Sequence, residues 1–368
     1  MKFSVVAISV ALVAAVNAAA YPPLDKSDMP MFKVFCNNPL TIARTDSIVT
    51  PGAVGTHAHD IHGSNFYANG KKNPTKADLI SNYNQIRKKK ACTNCSLAGA
   101  DQSNYWFPSL YYHNKNGTYS LVKSQGLTVY YLMRDGPNEK VPKFSPFPPG
   151  FRMVAGNPAW ANKPFKNTIP EQAVSYVCMD YSTGGPNIPE GPYFPFDKYS
   201  CTSGFRAQVF FPMCGDGRLD SPDHRSHVAY PVQNYNGGDC PKSHPIKYPG
   251  VFYEAFYSVP EDIYPQGKGE NRFTWSHGDT NGRGFHGDFV SGWDPKVMSN
   301  AINDPTCRMN EDGVGNDLTH CNALKKYLQD GERNVCAAKG LAKPLPKAIT
   351  DLDVGLKKPI KKLSFVKA

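Results

Sequence analysis

Tyr105-Trp106-Phe107-Pro108-Ser109-Leu110-Tyr111-Tyr112, Tyr119-Ser120-Leu121-Val122 and Leu127-Thr128-Val129-Tyr130-Tyr131-Leu132-Met133 follow one another, separated by turns at Asn116-Gly117 and Gly126. Aromatic and β-branched residues suit a pleated, half-buried surface, and Asn-Gly and Gly are turn residues. The three runs therefore read as successive strands. Outward from them the same texture recurs at Phe32 to Phe35, Ala173 to Cys178, Phe205 to Phe211, His227 to Pro231 and Val251 to Tyr257. One helix is expected from Pro74 to Lys90, with Asn73 as N-cap and Pro74 in the first turn. The intervals are rich in Gly, Pro and Asn, and the chain holds 31 Gly and 32 Pro. Repeated strand–helix alternation is missing, which argues against a parallel βαβ sheet. The expected fold is mainly β: an antiparallel β-sandwich or jelly-roll with long loops, held by disulfides.

The ends read differently. Lys2 followed by the apolar run Phe3 to Val16, with small residues at Ala18 to Ala20, has the form of a secretory signal peptide over 1–20. An extended leader over 21–31, a main domain over 32–300, a Cys-containing extension over 301–337 and a basic mobile tail over 338–368 complete the expected organisation. Ten cysteines in a secretory context suggest up to five disulfides. Their pairing stays open among about 945 connectivities. Cys92-x-x-Cys95 reads as a structural bridge before a redox pair, and Asn116-Gly117-Thr118 as a glycosylation acceptor on an exposed turn. Past the first twenty residues no apolar run reaches the roughly 18 that a membrane span needs.

The formal net charge is +10. Its excess lies in Lys71 to Lys90 and in the tail, a pattern that suits nucleic acid, anionic lipid or an acidic polysaccharide. In a secretory setting nucleic acid is the least available, and a solvated loop or helix end is the simpler explanation of the Arg87-Lys88-Lys89-Lys90 run.

Seven of the ten histidines fall in short Gly- or Ser-rich segments: His57, His59 and His62; His224 and His227; His277 and His286. On a strand, His57 and His59 would share a face, as would His286 and Asp288. The candidate catalytic set is His57, His59, His227, His286, Asp288, Asp223 and Asp279. Asp288 is expected to orient His286, with Asp223 or Asp279 supplying a carboxylate. A divalent metal is a candidate at His57, His59, His227 and His286. Gly-x-Ser-x-Gly, His-Glu-x-x-His and a phosphate-cradling glycine loop are absent from the sequence. The competing explanation is local: a loop histidine that satisfies its own backbone. One shared site would require His57, His227 and His286 to lie within about 10 Å of each other.

Taken in order, Val34-Phe35-Cys36, Ser47 to Gly52, His57-x-His59, Cys92-Thr93-Asn94-Cys95, Tyr105-Trp106-x-Pro108 and Phe147 to Met153 resemble a secreted fungal family. The likeness continues through Phe211-Pro212-x-Cys214, Leu219 to Pro231, Gly278-Asp279, His286-Gly287-Asp288-Phe289 and Gly292-Trp293-Asp294. It is similar to the domain of unknown function numbered nineteen-ninety-six, often found beside WSC carbohydrate-binding modules. The resemblance implies a fungal-type secreted protein without an established reaction. Gly215 stands where the family usually has Trp, and no WSC-like module follows.

Three readings stay open. The first is a secreted, carbohydrate-active protein of the cell wall or its surroundings, a glycan hydrolase or lyase, whose partner is polysaccharide, an acidic one among the candidates. Sugars stack on aromatic faces, and acid/base groups on either side can break a glycosidic bond. The second is a non-catalytic wall or adhesion protein. The third is a metal-binding protein using the His-x-His pair.

Overall fold

The computed structural model describes residues 31–66, 71–88, 91–138, 144–181, 190–308, 318–329, 336 and 348–349. The expected signal peptide, most of the expected leader and nearly all of the expected basic tail lie outside the described residues.

Two five-stranded antiparallel sheets form the body. The first runs in the order Met31–Cys36, Ser124–Leu132, Gly250–Tyr257, Gly204–Phe210, Val174–Met179. The second runs Thr41–Ala43, His59–Gly63, Asn104–Pro108, His286–Val290, Arg152–Gly156. The fold is therefore mainly β and antiparallel. Period-two alternation sets the inner face of the first sheet: Phe32, Val34, Val129, Tyr131, Val251, Tyr253, Phe205, Ala207 and Val209 are all wholly buried. The second sheet answers with Tyr105, Phe107 and Phe289. Tyr105 meets Tyr253 edge-on at 5.8 Å and its hydroxyl lies 2.7 Å from that of Tyr131. The Tyr253 hydroxyl donates across the sandwich to the Asp288 carbonyl at 2.8 Å.

The outer face of the second sheet is covered too. Ile61, Trp106, Val154 and Val290 form a second apolar cluster with Ile48 and Ile86. Ile86 ends the Lys76–Ile86 helix, so this helix and the loop around Ile48 roof the sheet. The helix starts two residues later than expected. Thr75 is the N-cap in a capping box with Asp78, because its side chain reaches the N3 amide, whereas Asn73 takes a left-handed φ of 51°. At its other end the helix stops at Ile86, short of the expected basic terminus.

The opening run breaks in two. Asn104–Pro108 belongs to the second sheet, while Leu110–His113 pairs with Phe273–Trp275 and Tyr119–Leu121 in another. Pro108 has no N–H to give the His286–Val290 strand, whose pairing stops at Asp288–Trp106, while Ser109 N–H still donates in register to Ala58 O at 3.0 Å. His227 to Pro231 shrinks to a two-residue strand, Val228–Ala229. The Cys321 to Leu328 region, which looks helical in sequence, holds only a short 3-10 turn at Lys325–Tyr327.

All ten cysteines pair: Cys36–Cys95, Cys92–Cys336, Cys178–Cys201, Cys214–Cys240 and Cys307–Cys321. Cys92 and Cys95 thus bridge outward to different partners and not to each other, correcting the reading of this motif. Asn94 between them is buried; its side chain accepts from Gly63 N at 2.7 Å and donates to Asn38 O at 2.9 Å. Met298, Ala301 and Ile302 of the Pro295–Asn303 helix, together with Cys307, Cys321 and Leu324, join the main core. In the expected tail, Ala348–Ile349 pairs with Tyr119–Leu121.

Gly63 ends the strand that carries His59. Its φ is +94°, and a Cβ there would stand 1.9 Å from Ser103 O. Gly63→Ala is predicted to cost about 3 kcal/mol or more, since both the backbone conformation and the neighbouring strand must shift. Urea unfolding with a midpoint near wild type would refute this.

Candidate functional site

The second sheet's outer face reads as transverse rows. His59 lies opposite Pro108, and His286 opposite Gly156. Asp288 lies opposite Trp106, so the same register places His286 beside Pro108. One row is thus His59, Pro108, His286, Gly156. Small residues flank His286 on both sides, so the two imidazoles lean over Pro108 until their ring centres stand 5.8 Å apart. His57 arrives from the preceding loop, which is tied back where Arg44 Nε donates to Gly55 O at 2.9 Å. The Phe273–Trp275 strand runs on into Ser276, whose N–H donates to Ser109 O and whose hydroxyl donates to Ala58 O. That junction brings His277 within 5.1 Å of His57 and 5.4 Å of His286, ring centre to ring centre.

One nitrogen each of His57, His59 and His286 lies within 4.8 Å of the other two. The hydrogen bonds fix which nitrogens are free. His59 Nδ1 faces Thr45 O at 3.1 Å and His286 Nδ1 faces Gly284 O at 2.9 Å. Carbonyls only accept, so both Nδ1 atoms carry hydrogen and both Nε2 atoms present lone pairs. His57 Nε2 meets His286 Nε2 at 3.0 Å and must donate to it, leaving His57 Nδ1 to accept from the Thr56 hydroxyl at 2.9 Å. Both nitrogens of His277 and Nε2 of His59 are buried and unpartnered. Burial, reinforced by the neighbouring imidazoles, holds His57, His59 and His277 well below the ordinary histidine range. Burial lowers His286 to about 4. The four rings are neutral at physiological pH, the state in which imidazole binds a metal.

Other predicted positions fall elsewhere. His227 packs on Phe151, with Nε2 on Arg152 O at 2.8 Å and Nδ1 on the Ser221 hydroxyl at 2.9 Å. Arg152 opposes Val290, four residues along the strand from the Gly156–His286 pair, which is roughly 13 Å at strand rise. His227 is therefore separate from the cluster, with both nitrogens engaged. Asp288 does not orient His286, whose Nδ1 is held by Gly284. Its row contains Ile61, Trp106 and Val154, and its carboxyl oxygens have no hydrogen-bond partner. Burial, then the nearby Asp46, push that carboxyl well above its usual range, which disfavours its charged form.

Asp223 ties a turn, accepting from Ser226 N at 2.9 Å and Ser221 Oγ at 2.7 Å. Asp279 accepts from Gly284 N and from Asn162 N at 3.1 Å, shaping the loop before His286. Gly284 belongs to that shape: a Cβ on it would stand 2.4 Å from His277 Nε2. Among the sequence candidates His57, His59 and His286 come together, and His277 joins them. The adjoining Gly278-Asp279 turn was the visible signal for His277.

Residues 46–293 match the family described as Domain of unknown function (DUF1996), and the chain belongs to it. No curated protein and no solved structure matches the chain.

His62, on the opposite face of its strand, is wholly buried and stacks on Phe107 at 5.5 Å. Burial lowers it from 6.5 to about 3. The unfolded chain then binds a proton that the folded chain refuses, so stability is intact above about pH 6.5 and falls as pH drops. His62→Leu is predicted to flatten the stability–pH slope between pH 6 and 4 by about 1.4 kcal/mol per unit. Urea titrations across that window decide it, and parallel slopes would contradict it.

Proposed function

We propose that this chain is a secreted metalloprotein acting on polysaccharide of a fungal-type cell wall, with His57, His59 and His286 as the ligands of one divalent transition-metal ion. The convergence of three neutral imidazoles, two of them with their lone pairs fixed inward by backbone carbonyls, carries this reading. Second-sphere bonds of this kind set tautomer and ring direction in metal-binding histidines. No free thiol competes, and an all-imidazole set suits zinc or copper. Three nitrogens each 2.0–2.1 Å from zinc stand about 3.3 Å apart, so the 3.0 Å His57–His286 pair needs little change, while His59, whose nitrogen lies within 4.8 Å of the other two, has to swing in. On loading, His57 would turn its Nδ1 hydrogen towards the Thr56 hydroxyl, which serves equally as acceptor. His277 stands by with two unpaired nitrogens. A bound ion would supply Lewis acidity or an activated water.

Support for a sugar ligand comes from the adjoining surface. A groove of about 440 Å³ lined by Trp160, Tyr230, Pro231, Val232, Arg225 and Gly156 lies beside this row, and Gly156 is the residue opposite His286. Aromatic and apolar faces of this kind bind the C–H faces of sugar rings. Five disulfides suit an extracellular setting, and among the described residues no helix is long and apolar enough to cross a membrane.

Untagged protein purified without chelators is predicted to carry about one zinc or copper per chain and to lose it in a His57→Ala/His286→Ala variant. Chelation should lower the melting temperature and re-addition restore it, since an ion at a hundred times its Kd stabilises by about 2.7 kcal/mol. Absence of both stoichiometric metal and ion-dependent stabilisation would defeat the metal assignment. For the polysaccharide, the readout is new reducing or unsaturated ends on chitin, glucans and uronic-acid polymers, released by loaded protein and not by the stripped form. No release combined with undiminished wall binding would favour a non-catalytic wall protein.

A further inference from the structure

A second constellation lies outside the histidine cluster. The segment 219–225 runs along the edge of the Arg152–Gly156 strand: Arg152 N donates to Leu219 O and Val154 N to His224 O, each at 3.1 Å. His224 N in turn donates to Ser221 O at 2.8 Å. Pinned from both sides, His224 sits at φ 57°, a left-handed conformation uncommon for any residue with a side chain. Strained backbone of this kind clusters at functional sites. Held there, its Nδ1 stands 2.9 Å from Asp220 Oδ1, while Asp220 Oδ2 receives Arg152 Nε at 2.7 Å. A carboxylate backed by a buried arginine only accepts, so in the neutral ring Nδ1 carries the hydrogen and Nε2 is presented as a lone pair.

That imidazole lines a cleft of about 930 Å³. Lys71, Lys72, Lys76 and Arg218 also line it, and Asp220 is its one carboxylate. Two of the cations are engaged locally, Lys71 with Asp78 at 2.6 Å and Arg218 with Asp216 at 2.7 Å. Lys72 and Lys76 are exposed, and neither has a carboxylate partner among the described residues. Apolar wall is supplied by Val49, Leu79 and Pro148 among others, with Asn73 and Ser221 adding polar groups.

We infer that this cleft is a binding site for an acidic saccharide, with Lys72 and Lys76 taking its carboxylates and His224 Nε2 accepting a sugar hydroxyl. The cationic rim selects the charge, the apolar walls suit ring C–H faces, and the Asp220-oriented imidazole supplies a directional acceptor. The inference deepens the polysaccharide reading by naming an acidic ligand, yet it uses none of the cluster imidazoles.

Calorimetric titration of the full chain with oligogalacturonate, a neutral glucan oligomer of equal length and dextran sulfate tests it. Oligogalacturonate should bind, more weakly as salt rises, and the neutral oligomer should not. Lys72→Glu/Lys76→Glu should weaken binding at least about tenfold, the equivalent of about 1.4 kcal/mol. His224→Gly should weaken it about fivefold, the loss of one hydrogen bond, and should still fold, read by its circular dichroism, because glycine accepts φ 57° freely. Chelator-treated wild type should bind as well as untreated protein, so a failed metal centre and a failed cleft give different results. Equal binding of acidic and neutral oligomers, binding of dextran sulfate alone, or unchanged affinity in the lysine variant would overturn the site. Unchanged affinity in His224→Gly would remove the imidazole from it.

Discussion

Pro108 is the point on which the rest of the arrangement depends. Without an N–H it cannot extend the pairing with the His286–Val290 strand, which stops at Trp106, and after Ser109 the chain enters another sheet at Leu110. Ser109 holds the neighbouring strand twice: its N–H goes to Ala58 O, and its hydroxyl goes to Asp60 at 2.6 Å. These bonds fix the strand that carries His59 and the segment just after His57. The same proline is the low side chain between His59 and His286. A bulky residue there would keep the imidazoles apart, and the cluster would become two isolated histidines.

The interior around this row is unusual in how it treats charge. Burial holds the cluster imidazoles neutral by lowering them, and it raises Asp60 to about 7 and Asp288 well above its usual range. A buried group without a counter-charge gives up its charge. Two buried arginines keep a carboxylate beside them. Arg152 on Asp220 lies at the opposite end of the sheet, and Arg283, wholly buried, stands 3.4 Å from Glu171. The sheet therefore carries two polar ends of different character. One offers lone pairs from neutral rings, suited to a cation; the other offers an ion-paired carboxylate and an oriented imidazole under a cationic rim. Ile61, Trp106, Val154 and Asp288 separate them.

Much of this was legible in the chain itself, and the reasons are local. Period-two alternation of large apolar residues marks Phe32 to Phe35, Phe205 to Phe211 and Val251 to Tyr257 as half-buried strands, because alternate side chains must point to opposite faces. Trp293-Asp294-Pro295 also carries a local helix start, Asp capping and Pro in the first turn. The glycine-flanked histidines stood out as candidates because such segments bend freely and expose polar groups. None of those signals contains a distance.

Distance came only from register and topology. That His59 and His286 meet while His227 does not is decided by which residues lie opposite one another across three strands, and sequence spacing carries no trace of that pairing. Asp288 has the right spacing from His286 to share its face, yet hydrophobic neighbours in its row disfavour its charge and Gly284 takes the hydrogen bond it was expected to make. The cysteines show the same limit: their number implied disulfides, whereas Cys92 and Cys95 found different partners because the closed sheets set their neighbours. His224 and Asp220 became a pair only when an edge strand pinned a left-handed turn. The sequence by itself determined which residues prefer strands, turns and the interior, since those preferences act within a few bonds. The tertiary structure alone decided which polar groups converge, since that depends on how strands far apart in the chain are laid side by side.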